Sequence, residues 1–141
     1  MLRKTITLAT ALLCSGLAAE PLPQALLQLN GHVLGVEVAA TREQRQLGLM
    51  GREQLAKDRG MLFVFDDSRQ HCFWMRDTPL ALSAAFLDEQ GRVLNIVDMQ
   101  PFDDTEHCSA QASLYGLEVP QGWFAEHGVR PGQQVEQLPQ D

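Results

Sequence analysis

Met61-Leu62-Phe63-Val64-Phe65 is an unbroken apolar run, preceded by Gly60 and stopped by Asp66-Asp67-Ser68. A run of this length between turn formers reads as a strand covered on both faces, and such a strand needs neighbours on either side. The rest of the chain supplies them. Leu26 to Ala40 breaks at Asn30-Gly31 into two strands around a tight turn, with period-two alternation from His32 onward. Ala81 to Leu87 and Arg92 to Val97 flank the turn-rich Asp88-Glu89-Gln90-Gly91 and read as a hairpin. Cys72 to Met75 is a short extended piece, and Pro79 forbids a helix through that region. Asp98 to His107 is a polar loop. Leu114 to Val119 reads as a strand, and Gln134 to Leu138 as a last short strand after the Pro131-Gly132 turn.

Helical signals are few. Thr41 has the chemistry of an N-cap, with Gln44 completing a capping box, and Gly51 stands where such a helix would stop. On that reading Leu47 and Met50 face the core. Gly48 then sits inside the helix at a cost of about 1 kcal/mol relative to alanine, which marks either a close backbone approach or a plain surface position. Gly122 to His127 reads as a helical turn. Seven or eight short strands with one or two short helices predict a mostly β, mostly antiparallel barrel or sandwich in a single compact domain.

The N-terminus reads as an export signal. Arg3 and Lys4 precede an apolar run from Thr5 to Leu17, and Gly16-Leu17-Ala18-Ala19 offers small residues for cleavage. The run is shorter than the about 20 apolar residues a membrane-spanning helix needs. Cys14 follows Leu13, where lipid attachment favours a small residue. The expectation is therefore a signal peptide at residues 1–19, a mature domain at 20–141, and a periplasmic or secreted protein free of the membrane. Removing Arg3 and Lys4 from 11 basic residues leaves 9 against 18 acidic ones, a net charge of −9. Such a surface repels nucleic acid and anionic lipid.

Two cysteines survive processing, Cys72 and Cys108, and in an oxidising compartment a lone pair implies one disulfide. Each follows a histidine, so a Cys₂His₂ metal site is the compositional rival. Neighbouring residues of an extended chain point to opposite faces, which keeps His71 and Cys72 from sharing one ion. The disulfide is the preferred reading.

Four blocks occur in order: TREQRQLGLMGR from Thr41 to Arg52, GMLFVFD from Gly60 to Asp66, FWMRDTPLALSAAFLDEQGRV from Phe73 to Val93, and SLYGLEVPQGWFAEHGVRPGQQV from Ser113 to Val135. In these the chain resembles the domain of unknown function 192 family over nearly its whole mature length. The resemblance implies a single-domain β-barrel or jelly-roll-like fold, a bacterial or archaeal source and frequent export, and it implies no catalytic residue. The chain departs from the family pattern at Thr78-Pro79-Leu80 and at Val119-Pro120-Gln121.

Polar residues that interrupt these blocks are the candidate functional groups, among them Arg42, Arg76, Asp77, Thr78 and Glu118. A carboxylate in a strand is costly unless paired, so a structural Glu118 calls for an arginine partner. A functional Glu118 instead converges with Trp74, Asp77, Thr78 and Arg42 at a barrel mouth, where an aromatic platform and a few polar groups would hold a small polar ligand. Two alternatives accompany this. Met75 and Met99 with His71 offer soft donors suited to Cu(I), against the reading of methionine as core filler. Asp77 and Glu118 offer paired carboxylates for hydrolysis, chemistry that would require them to stand roughly 5 to 10 Å apart. No nucleophile elbow, HExxH spacing or phosphate-binding glycine loop is present, and no cofactor is expected. The leading expectation is a non-catalytic binding or accessory module, its partner a small polar ligand or another protein.

Overall fold

The computed structural model describes residues 20–140, and the expected signal segment lies outside the described residues. Asn30 and Gly31 take positive φ values of 49° and 79°, the pair of left-handed conformations that a two-residue hairpin turn requires. Strand β1 (Gln24–Leu29) therefore folds back on β2 (His32–Ala39) in antiparallel register.

Helix α1 (Arg42–Leu47) follows, and its capping box forms as expected. The Thr41 hydroxyl accepts the Gln44 N–H at 3.2 Å and the Gln44 side chain accepts the Thr41 N–H at 3.1 Å. The helix stops at Gly48, three residues short of the predicted stop, because Gly48 turns to φ 46° and packs against Phe63. A Cβ there would sit 3.3 Å from the Phe63 ring, so this glycine does mark a close approach. The early stop rotates the burial pattern: Leu49 is buried, Met50 half-buried and Leu47 exposed, where the longer helix would have buried Leu47 and Met50.

Strand β3 (Arg59–Arg69) runs parallel to β2, with α1 in the connection between them. It continues past Asp66-Asp67-Ser68, because these residues lie on an exposed, irregular stretch of the strand. Then come β4 (Cys72–Phe73), the hairpin of β5 (Leu82–Leu87) and β6 (Val93–Met99), β7 (His107–Cys108), β8 (Ser113–Pro120), α2 (Trp123–Glu126) and β9 (Val135–Glu136). Seven strands form one sheet in the order β6-β5-β8-β3-β2-β1-β9, which puts the apolar run of β3 in the middle, and β4 with β7 makes a separate two-stranded piece.

The large sheet curls until its two edges meet at one end. Arg92 and Gln134 form an antiparallel bridge, Val93 N–H donates to the Gln133 carbonyl at 2.8 Å, and Val135 N–H donates to the Gly91 carbonyl at 2.9 Å. The main apolar cluster lies inside the curl. It draws on all seven strands, Leu27, Val36, Leu62, Leu117 and Val135 among them, and α2 adds Trp123 and Phe124. A second cluster, with Met61, Phe63, Leu82 and Ala84, lies on the opposite face of the same sheet. It is covered by chain from outside the sheet, including Leu49 and Met75. Among the described residues the protein is thus mostly β with two short helices, as expected, and the parallel β2–β3 pair is the one departure from antiparallel pairing. No described helix is long and apolar enough to cross a membrane.

Candidate functional site

Alternation along β8 sends Leu117 and Val119 into the inner core and turns Glu118 to the opposite face. In register, Glu118 stands between Met61 of β3 and Ala84 of β5, both fully buried. Its own exposure is 5 %, yet among the described residues no hydrogen bond or ion pair reaches its carboxyl. Burial alone pushes that carboxyl up to about 8, since a low-dielectric surrounding penalises the charged form. The arginine partner that a structural role would require is not there.

Glu118 instead lines a cleft of about 510 Å³ together with Thr78, Trp74 and Arg42. Four of the five sequence-predicted ligand residues therefore come together. Asp77 does not line the cleft: it holds a left-handed turn at φ 52°, and its carbonyl accepts the Gly51 N–H at 2.7 Å. The proposed Asp77–Glu118 carboxylate pair accordingly has only one member in the cleft.

Aromatic rings build the walls. Phe73 stacks on Phe86 with centroids 5.1 Å apart and tilts against Phe63 at 4.8 Å. It can lie this close to β8 because Gly116 has no side chain; a Cβ at that position would overlap the Phe73 ring. His71 stacks on Phe65 at 3.8 Å, and its Nε2 lies 2.9 Å from the Asp67 carbonyl.

Basic side chains ring the opening. Arg76 lies over the Trp74 ring at 4.0 Å and contacts Asp104 at 3.2 Å. Arg45 donates to the Val64 carbonyl at 2.9 Å and to Asp66 at 2.8 Å, which ties α1 to β3. Arg69 meets Asp67 at 3.2 Å. Arg42 is exposed and has no ion pair among the described residues. Thr78 is buried, and its hydroxyl donates to the Arg76 carbonyl at 3.0 Å, which fixes the turn that carries Trp74 and Arg76.

Cys72 and Cys108 face each other across β4 and β7 and are joined by a disulfide, with Cys72 on the cleft wall. The soft donors are dispersed. Met75 and Met99 are closed into the second apolar cluster, whereas His71 stacks on Phe65 in the cleft.

Residues 25–137 match the pattern of the family described as Uncharacterized ACR, the domain of unknown function 192. The chain belongs to that family. No curated protein matches it. Similar solved structures include the following two. A candidate transcription regulator from Sinorhizobium meliloti 1021 is 33% identical with a TM-score of 0.81, over 84% of this chain and 97% of the other. A protein of unknown function from Novosphingobium aromaticivorans DSM 12444 is 32% identical with a TM-score of 0.80, over 93% of this chain and 99% of the other.

Within this domain of unknown function 192 chain, sequence reasoning missed Phe65, Phe73, Arg45 and Arg69 as cleft residues. The signal for the first was available: Met61, Phe63 and Phe65 alternate onto one face of β3, the face that meets Glu118. Phe73, Arg45 and Arg69 carry no periodic signal, because they come from a two-residue strand, a six-residue helix and an irregular strand end.

Proposed function

We propose that this protein is an exported, non-catalytic binding module that holds a small ligand in the cleft over Glu118. The observation that carries this reading is the unpartnered carboxyl of Glu118, buried at the back of an aromatic-walled opening. A buried polar group without a partner costs stability, and a ligand that hydrogen-bonds to it recovers that cost on binding. Held neutral, the carboxyl offers both an O–H donor and a carbonyl acceptor. Trp74, half-exposed at the rim, supplies a flat apolar face. Export is supported by the charged start, apolar run and small residues ending at Ala19, and by a disulfide of the kind that persists in oxidising compartments.

A second carboxylate at Asp77 is what a hydrolase would need, and a shared opening for Met75, Met99 and His71 is what a copper site would need. Asp77 stands outside the cleft and Met75 and Met99 are closed into the core, which favours the binding reading. Regulation of transcription, the role for which the Sinorhizobium meliloti relative is named, is opposed by the acidity of this chain.

A thermal-shift screen of small metabolites tests the reading. Ligand in about 100-fold excess over its dissociation constant adds about 2.7 kcal/mol to stability, and Trp74→Ala should erase that gain while leaving the ligand-free midpoint almost in place. A screen in which nothing stabilises the wild type more than the Trp74→Ala protein would end the proposal. N-terminal sequencing of protein recovered from the periplasm or medium should begin near Glu20; intact Met1 in the cytoplasm would end the export half of it.

A further inference from the structure

The chain carries a formal charge of −7, yet the cleft is locally cationic. Four arginines line it, Arg42, Arg45, Arg69 and Arg76, against two aspartates, Asp66 and Asp67. The aspartates are already engaged by Arg45 and Arg69. Arg42 has no ion-pair partner among the described residues, and Arg76 lies flat on Trp74 at 4.0 Å with a further contact to Asp104. The remaining titratable group on the wall, His71, has its ring stacked on Phe65. The one other acid facing the cleft is Glu118, more than nine-tenths buried and unpartnered among the described residues.

An ionised carboxylate placed among arginines would pair with one of them. None of the four reaches Glu118, and burial pushes its carboxyl up to about 8, which favours the neutral form. The cleft therefore offers arginines of which Arg42 lacks a counter-charge, the unpartnered Glu118 carboxyl, and phenylalanine rings. All three features suit one kind of guest. Resting on the ligand-binding reading above, we infer that the cleft selects a small organic acid, with its carboxylate or phosphate held by Arg42 and Arg76 beside the Glu118 carboxyl, and its apolar body against Phe65, Phe73 and Trp74. A cation is disfavoured by the rim, and a neutral polar molecule leaves Arg42 without a counter-charge.

Calorimetry on the disulfide-bonded protein with four probes of one shape tests this: 3-phenylpropionate, its amide, 2-phenylethylammonium and phenyl phosphate. The acid should bind at least about tenfold more tightly than the amide, a difference of about 1.4 kcal/mol, and the ammonium should not bind. Phenyl phosphate distinguishes the two acidic groups: whichever of the two anions binds more tightly identifies the head group, and either order supports an acidic ligand. Arg42→Gln should weaken the acid about tenfold and leave the amide unchanged; because this side chain is exposed, the variant should fold normally. Wild-type affinity for the acid should fall as pH rises through about 8. In Glu118→Gln, whose amide does not ionise, that fall should be absent. Equal or tighter binding of the amide or the ammonium would overturn the inference, as would no binding of either anion at millimolar concentration or no effect of Arg42→Gln. The ligand-binding reading survives such results if the metabolite screen yields a neutral or cationic ligand that depends on Trp74.

Discussion

Glu37 and Glu118 stand in one row on the same face of the sheet, Glu37 on β2 beside Met61 of β3, and Glu118 on β8 at the other side of Met61. Their surroundings set them apart. Glu37 receives both terminal nitrogens of Arg52, at 2.6 and 3.0 Å, and this pairing holds its carboxyl below the ordinary value of 4.5. Glu118 receives nothing, and its carboxyl is raised to about 8. One acid closes a contact between the sheet and the segment after α1. The other faces an opening. Two carboxylates a strand apart thus divide between holding the fold and waiting for a partner, and a matching arginine decides which is which.

The largest test of this contrast is the dependence of stability on pH. Glu118 has a folded value above its unfolded value, so the native state binds the extra proton, and stability falls as pH rises from about 4.5 to about 8. Fully developed, the loss reaches about 5 kcal/mol. Glu118→Gln should remove this slope and leave a protein more stable than wild type at mildly alkaline pH, measured by urea denaturation across that range. A wild type whose stability is flat from pH 5 to 8 would show that folding does not raise the Glu118 carboxyl.

Breaking the disulfide comes next. The bridge spans a sequence separation of 36, for which the chain-entropy relation gives about 4 kcal/mol. Cys72→Ser with Cys108→Ser should lower stability by up to that amount. It should also loosen the β4–β7 piece that carries Phe73 over Gly116, admit water to Glu118, and shrink the alkaline slope. Non-reducing mass spectrometry should find the two cysteine peptides linked in protein from its native compartment.

Glu37 sharpens the comparison from the opposite limb. Its lowered value means that its contribution is present above pH 4.5 and is lost as pH falls through the folded value. Arg52 is more than one-third exposed, so solvent screening keeps the pair below about 1 kcal/mol. Arg52→Ala should cost that much at neutral pH and nothing in strong acid. The smallest effect belongs to Trp74→Ala, within about 0.5 kcal/mol without ligand, because its ring packs on Arg76 at the rim.

The same contrast shows what was legible in the residues. Local chemistry read true: Asn30-Gly31 turned the first hairpin, Thr41 and Gln44 capped α1, and Asp88 to Gly91 joined β5 to β6. Each of these depends on groups within a few positions of one another. Features that depend on distant partners did not read. The parallel pairing of β2 with β3 follows from where the chain goes after α1, and the stop at Gly48 from the arrival of Phe63 beside it. Trp74, Thr78, Arg42 and Glu118 meet because β8 inserts between β5 and β3. Asp77 fell outside for a local reason: a residue at φ 52° reverses the chain between Arg76 and Thr78. Whether Glu118 had an arginine was invisible, since several arginines were available in the sequence and only register allots one to Glu37.

The meeting of the sheet's edges at Arg92 and Gln134 bears on behaviour in a crowded compartment. An open sheet of this size would offer a row of unsatisfied amides and carbonyls at β6, a template on which further chains could add. Here the segment before β9 occupies the start of that row, and the Asn95 side chain binds the Cys108 carbonyl and the Ala110 N–H farther along. The protein's own C-terminal chain thereby covers the start of that edge, and removal of residues from about Pro131 onward would expose it to strand addition.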